Sequence, residues 1–290
     1  MYFAFYGLKE KPFSLAASTK YLYLGERHQE ALTLLGYGLA EDKGICLLTG
    51  MTGTGKSTLT RHLLQTSPML RQSQIVLVNN PMTLGDDLAR FLVQELRVEE
   101  QDQPSASRSY HLLEQHLGRL RLSRKRVLLA IDEAQCLGDD MLEQVRLLTN
   151  IQRDQEVLLQ VLLVGQSSLR QRLRTPRFKA FVQRLGVACT LKPFTMKESV
   201  GYVLHRLKVA GAAKPETLFT KDALKLAHRA SGGVPRVLNQ ICDTALTYGF
   251  AEEAKVIGEG LVLEVARDRR RSGLPVGREC REIFGQAAAE

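Results

Sequence analysis

Residues 50–57 read Gly50-Met51-Thr52-Gly53-Thr54-Gly55-Lys56-Ser57, the spacing G-x-x-x-x-G-K-S. The chemistry this pattern suits is phosphate binding. Glycines at 50, 53 and 55 let the backbone curl so that amide N–H groups point inward, and a helix opening at Lys56 adds its partial positive charge. Lys56 has the charge and reach to contact β- and γ-phosphates, and the Ser57 hydroxyl suits a Mg²⁺ ligand. Gly50, Thr52, Gly53, Thr54, Gly55, Lys56, Ser57 and Thr58 are the expected nucleotide contacts. A glycine-rich turn that happens to carry a lysine is the bland alternative, and the apolar run before it and the helical spacing after it weigh against that.

A second constellation lies downstream. The run Val127-Leu128-Leu129-Ala130-Ile131 ends in Asp132-Glu133. Two carboxylates at the C-terminal end of a buried strand stand where ligands bind in open α/β sheets. Asp132 suits Mg²⁺ coordination, and Glu133 suits polarising an attacking water. Alone, the pair could equally be a strand-exit turn; the phosphate loop upstream favours the chemical reading.

These residues need a scaffold, and the periodicity supplies one. Ile45 to Thr49 reads as a strand, and a helix follows from near Lys56 through Leu59, Leu63 and Leu64. Ile75 to Val78 reads as a second strand. One helix is expected from Pro81-Met82-Thr83 through Leu84, Leu88, Phe91, Leu92 and Leu96. Glu99 to Arg108 is polar and reads as a loop, and Tyr110 to Leu122 returns to helical spacing. The continuous apolar runs Val127 to Ile131 and Val157 to Val164 fit strands covered on both faces. Alternating strands and helices predict an α/β parallel sheet with helices on both faces. After Pro193 the pattern is helical: Met196 to Val209, Thr220 to Ala230, Val234 to Tyr248 and Ile257 to Arg267. The division predicted is an α/β nucleotide-binding domain over 1–191, a smaller all-helical lid over 192–268 and a basic, flexible tail over 269–290.

The chain has 290 residues, 44% hydrophobic and 24% charged, the balance of a folded globular protein and not of a disordered one. Cys46, Cys136, Cys189, Cys242 and Cys280 are scattered with no C-x-x-C pair, which signals neither a zinc site nor a disulfide framework. No apolar run approaches the roughly 18 residues of a membrane span, and the start MYFAFYGLKEKPF lacks the order of a signal peptide. A cytoplasmic location, with peripheral docking at the inner membrane open, is expected. Net charge is +9. The segments Arg119–Arg126, Arg170–Arg184 and Arg267–Arg281 carry +5, +6 and +4, which leaves the rest of the chain at −6. Nucleic acid, acidic lipid and acidic protein all remain candidate partners for such segments.

A phosphate loop, a strand ending Asp-Glu, a later strand ending in a polar residue and a helical lid together resemble an AAA+ ATPase. The stretches Phe5-Tyr6-Gly7-Leu8, Lys11-Pro12-Phe13-Ser14, Tyr21-Leu22-Tyr23-Leu24 and His28-Gln29-Glu30-Ala31-Leu32 are similar to the ExeA/GspA/MshM group of secretion- and pilus-associated ATPases. So are Asp132-Glu133-Ala134-Gln135, Leu147-Leu148-Thr149-Asn150, Leu163-Val164-Gly165-Gln166 and Gly232-Gly233-Val234-Pro235-Arg236. The resemblance spans residues 1 to 268, and the chain looks like the short, stand-alone form of the group.

The resemblance implies ATP and Mg²⁺ as ligands and a P-loop NTPase fold. It places Gln166 as a sensor of the γ-phosphate or its water, although Gln166 also suits a helix cap. It places Arg236 as the lid arginine that reaches the γ-phosphate, against a solvated helix-start arginine. It places Arg184 as a finger acting on a neighbouring subunit, with Arg174 and Arg177 as rivals and a plain basic face as the alternative. Tyr23, Arg27 and His28 lie where related ATPases pack the adenine ring. Implied partners are further copies of the chain, as ring or filament, and an envelope secretion or pilus component. The competing function is a DNA-binding AAA+ ATPase that regulates a transposase or its target selection; the three runs contain no aromatic interleaving and no separate helix-turn-helix follows.

Overall fold

The computed structural model describes residues 2–16, 18–98, 105–153, 156–275 and 277. The first half of the chain alternates helix and strand: α1 (Tyr2–Phe5), α2 (Glu26–Ala40), β1 (Ile45–Gly50), α3 (Lys56–Thr66), β2 (Gln74–Val78), α4 (Leu88–Glu95) and α5 (Ala106–Leu122). There follow β3 (Val127–Ile131), α6 (Asp139–Leu148), β4 (Gln152–Arg153), β5 (Glu156–Val157), β6 (Leu159–Gly165), α7 (Ser167–Leu173), α8 (Lys179–Val182) and β7 (Leu185–Leu191). The remainder is helical: α9 (Met196–Val209), α10 (Lys221–Ser231), α11 (Pro235–Ala251) and α12 (Glu259–Arg271). Contact density divides the chain into two units, one of Glu26–Thr52 with Leu59–Leu191, the other of Met1–Gly25, Gly53–Thr58 and the chain from Lys192 onward.

In the first unit five strands form one sheet in the order β2-β3-β6-β1-β7, every pairing parallel. β1, β3 and β6 are buried along their whole length, which is why they read as continuous apolar runs rather than alternating ones. Ile45, Leu47, Leu129, Ile131, Val161 and Leu163 share one core with α4, α5 and α6. Cys46 faces the other way, towards α2, where a Cβ on Gly38 would stand 2.8 Å from its Sγ and 2.6 Å from Val187 Cγ2. Helices therefore cover both faces. The polar Gln160 inside β6 is 2% exposed and donates from Nε2 to Leu39 O at 2.8 Å. Arg126 donates to Leu39 O and Ala40 O, so two side chains satisfy the last carbonyls of α2.

In the second unit the N-terminal segment joins the core of α9–α12: Tyr2, Tyr6, Leu8, Phe13 and Tyr21 pack with Leu207, Leu238 and Leu246. Arg206 is buried and pins that segment, donating to Pro12 O, Ser14 O and Tyr202 Oη, with its guanidinium 4.5 Å from the Tyr21 ring centroid. Tyr2 Oη donates to Asp243. The turn between α10 and α11 needs glycine at 233: φ is +71°, and a Cβ there would stand 2.1 Å from Phe194 O.

The structure differs from the periodicity in three places. The single helix expected over 81–96 is two elements, a 3-10 turn at Pro81–Leu84 and then α4. Gly85 at φ +64°, with Asn80 capping the turn and Asp87 capping α4, interrupts the spacing. Val157 lies not in β6 but in β5, which pairs antiparallel with β4. The last helix runs to Arg271, past the expected boundary at 268, and Arg269 is 7% exposed within it; residues 276 and 278–290 of the expected tail lie outside the described residues.

Two outcomes follow from this packing. Arg206→Ala strands two backbone carbonyls and a tyrosine hydroxyl, so it is expected to lower unfolding stability by about 2–4 kcal/mol and to move the first proteolytic cuts into residues 7–24. Urea titration and limited proteolysis with peptide mapping check it. Burial pushes the Cys46 thiol up to about 12 and the Cys242 thiol up as well, whereas Cys136 is exposed. Native-state alkylation is therefore expected to label Cys136 and to reach Cys46, Cys189 and Cys242 only on unfolding.

Candidate functional site

Register decides what meets at the edge of the sheet. Thr49 of β1 lies opposite Gly165 of β6, and Ile131 of β3 lies opposite Leu163 of β6. Ile131 is therefore level with Leu47 as well, so β3 ends two positions short of Thr49 and Gly165, and Asp132 and Glu133 follow it at the same C-terminal edge at which Gly50 ends β1 and Gln166 follows β6. Asp132 N–H donates to Val78 O at 2.8 Å, which holds the exit of β3 against β2. Its Oδ1 accepts the Glu133 N–H at 2.8 Å. Glu133 itself sits at φ +52°, ψ +34°, a left-handed conformation that costs a side-chain-bearing residue about 1–3 kcal/mol and clusters at functional sites. It is exposed, and a 3-10 turn over Ala134–Cys136 follows.

That turn carries a network that residue order alone does not show. Gln135 Nε2 donates to Glu133 Oε2 at 2.5 Å, and Gln135 Oε1 accepts the Gln166 N–H at 2.9 Å. Arg172 on α7 donates to Leu137 O at 2.7 Å and lies 3.7 Å from Asp139 Oδ1. Gln135 closes the stretch Asp132-Glu133-Ala134-Gln135 that the sequence already singled out, but its role did not show there, because its second partner lies 31 residues away. Gln166 occupies the N-cap position of α7 without a side-chain capping bond, so capping does not account for it.

Residues 53–58 of the phosphate loop fall in the other unit, and their backbone suits anions. Gly53 and Gly55 take φ +83° and +95°, which glycine adopts without strain. Thr54 and Lys56 are buried, the latter 8% exposed, while Met51 at 53% faces solvent. Arg236 N–H donates to Gly53 O at 3.2 Å, and a Cβ on Gly53 would stand 2.8 Å from Arg236 Cβ. The start of α11 is therefore fastened to the loop, and the arginine side chain is exposed.

Other expected residues fare differently. Arg177 is engaged by Asp139 at 2.6 Å and Asp140 at 3.7 Å, although its side chain remains largely exposed. Arg184 and Arg174 are exposed and form no ion pair among the described residues. Tyr23 packs edge-on against Phe194 at 5.7 Å and Tyr202 at 6.1 Å, inside the helical core. Arg27 pairs with Glu30 at 2.8 Å, and His28 is buried in α2. The basic run Arg119–Arg126 is less available than its charge implies: Arg121 binds Asp42 and Glu156, and Arg126 binds Asp42 as well as the end of α2.

The donor set suits a Mg²⁺-nucleotide. The Ser57 hydroxyl and the Asp132 carboxylate, each in its own unit, are hard oxygen groups of the kind Mg²⁺ takes, and Asp132 Oδ1 accepts the Glu133 N–H. The left-handed glycines and the buried lysine cation suit phosphate rather than a neutral ligand. Among the described residues no cluster of three or more His, Cys, Asp or Glu offers an all-protein metal cage, and no helix is long and apolar enough to cross a membrane.

Comparison with known proteins agrees with this geometry. A family model described as an AAA domain matches residues 39–173. General secretion pathway protein A of Aeromonas hydrophila is 42% identical over 260 residues, covering 90% of this chain and 47% of that protein, so the chain spans about half the length of this relative. Among solved structures, Cdc6p from Pyrobaculum aerophilum superposes with a TM-score of 0.64 at 20% identity, over 89% of this chain and 70% of that one. Drosophila ORC bound to DNA gives 0.62 at 18% identity, over 88% and 63%. At those identities the solved structures speak to the fold alone, while the curated relative speaks to the family. With its phosphate loop, its Asp-Glu strand end and its five-stranded parallel sheet, the chain has the AAA+ P-loop fold, and over nine-tenths of its length its sequence is similar to general secretion pathway protein A.

Proposed function

We propose that this ATPase hydrolyses ATP with Mg²⁺ and couples the cycle to assembling or energising a bacterial secretion or pilus apparatus. The observation that carries the chemistry is the parallel pairing of β1, β3 and β6, which puts Gly50, the Asp132-Glu133 pair and Gln166 at the C-terminal edge of one sheet. Lys56 and the loop amides take the phosphates; Ser57 and Asp132 hold Mg²⁺. The cation neutralises developing charge on the transferred phosphoryl group. Glu133 polarises the attacking water, its position set by the strained backbone and by Gln135. Gln166 and Arg236 read the γ-phosphate, and Arg184 on the surface completes a neighbouring copy's site in a ring or filament.

The process is supported by the identity with general secretion pathway protein A, which extends over 90% of this chain. A position at the cytoplasmic face of the inner membrane, held by a partner protein, accords with that reading. The DNA-binding reading is favoured by the likeness to ORC bound to DNA. It is weakened because Arg121, Arg126, Arg172 and Arg177 are spent on internal partners.

Lys56→Ala is expected to abolish binding of a fluorescent ATP analogue, and Glu133→Gln to bind normally while turnover falls on the order of 10²–10⁴-fold. Wild-type turnover by Glu133→Gln removes Glu133 from the role given to it. Arg184→Ala is expected to lose about 10³-fold in turnover and to regain activity when mixed with Glu133→Gln, because each supplies what the other lacks. No recovery on mixing, at concentrations where wild type assembles, rules out action in trans. Turnover and oligomer size measured with and without duplex DNA over a salt series separate the two processes: indifference to DNA supports the envelope reading, and ATP-dependent filaments on DNA with stimulated turnover overturn it.

A further inference from the structure

Glu133 does not stand alone at the end of β3. Its Oε2 accepts the Gln135 Nε2–H at 2.5 Å, which leaves Oε1 as the oxygen able to accept a proton from water. The same Gln135 amide accepts the Gln166 N–H through Oε1 at 2.9 Å. One planar group thus joins the acidic residue after β3 to the polar residue after β6. Three further contacts hold that group in place. Gly165 admits it, since a Cβ there would stand 3.1 Å from Gln135 Oε1 and 3.3 Å from Gln135 N. Arg172 on α7 donates to Gln135 O at 3.5 Å and to Leu137 O at 2.7 Å, so α7 braces the turn. An amide so placed has both its hydrogen-bonding ends committed and cannot rotate without losing both.

We propose that Gln135 is a positioning residue for hydrolysis, one that fixes the Glu133 carboxylate towards the attacking water and ties it to Gln166, so that the water-polarising and γ-phosphate-reading groups move as one. This rests on the role given to Glu133 above. The physical basis is geometric. A carboxylate on an exposed turn samples several rotamers, and a single oriented donor that selects one of them sets how often the productive geometry occurs. A nucleotide-driven shift of Gln166 is passed to Glu133 through two hydrogen bonds rather than through the backbone.

Two substitutions in the full chain separate positioning from simple support of the turn. Gln135→Ala removes both bonds. Gln135→Glu keeps an oxygen to accept the Gln166 N–H and removes the donor to Glu133. Steady-state ATP hydrolysis is expected to show kcat down about 10–100-fold in both variants, with KM and ATP-analogue affinity within about twofold of wild type. Adding Gln135→Ala to Glu133→Gln is expected to cost nothing further, since the two residues act as a unit. Independently of turnover, amide hydrogen exchange at residue 166 is expected to speed up in Gln135→Ala and to stay slow in Gln135→Glu. Wild-type kcat in Gln135→Ala overturns the inference. So does recovery of kcat in Gln135→Glu, which would mean that the residue only supports the turn. If Glu133→Gln itself turns over like wild type, the Glu133 assignment fails first and takes this inference with it, a pattern distinct from failure of Gln135 alone.

Discussion

The parallel hydrogen-bond ladder through β3, β6 and β1 is the constraint on which the sheet edge depends. Parallel pairing fixes each strand relative to its neighbours to the residue, and a slip of one position turns every side chain to the opposite face. Because both faces of these strands are buried, such a slip would expose nothing apolar on balance but would break the interlock with the helices on each side. Register therefore holds, and with it the placing of Gly50, Asp132 and Gln166 at one C-terminal sheet edge, with β3 ending two positions short of Thr49 and Gly165. The carboxylates come to this edge because β3, the strand that leads to them, runs parallel to β6 and β1 and ends on the same side of the sheet.

Around this frame, polar side chains inside the fold do structural tasks that composition does not reveal. Gln160, which breaks an otherwise apolar strand, feeds a hydrogen bond to the end of α2, and Arg126 feeds two more. Arg206 lies among aromatic rings and backbone carbonyls in the helical unit and ties residues 12 and 14 to α9. In each case the buried polar group is worth keeping because its partners would otherwise be stranded away from water. The same accounting revises the meaning of the basic segments. Much of their charge faces carboxylates of the same chain, so net charge overstates the cationic surface offered to a nucleic acid or a lipid.

One of the five non-glycine residues at positive φ among the described residues, Glu133, lies in the candidate site. Glu133 holds a left-handed backbone, and Gly53 and Gly55 adopt positive φ in the phosphate loop. For the glycines this conformation is free; for Glu133 it must be held by the hydrogen bonds around it, from its own N–H to Asp132 and from Gln135 to its carboxylate.

Much of this protein was readable from residue order alone, and the reason is locality. The phosphate loop works through eight consecutive residues, so glycine spacing and the Lys-Ser pair declare it without a fold. The buried strands announced themselves because a short, continuous apolar run between turns suits a strand covered on both faces, and the helical second half followed from its period. Boundaries blurred where a local device overrode periodicity: Gly85 and the caps at Asn80 and Asp87 split one expected helix. What required the folded chain was every relation between distant residues. The pairing of Arg177 with Asp139, the capping of α2 by Arg126 and Gln160, and the bridge from Glu133 through Gln135 to Gln166 all join segments that are remote in sequence. A side chain's type states which bonds it can make, but only the packing of strands and helices brings one particular partner within about three ångströms.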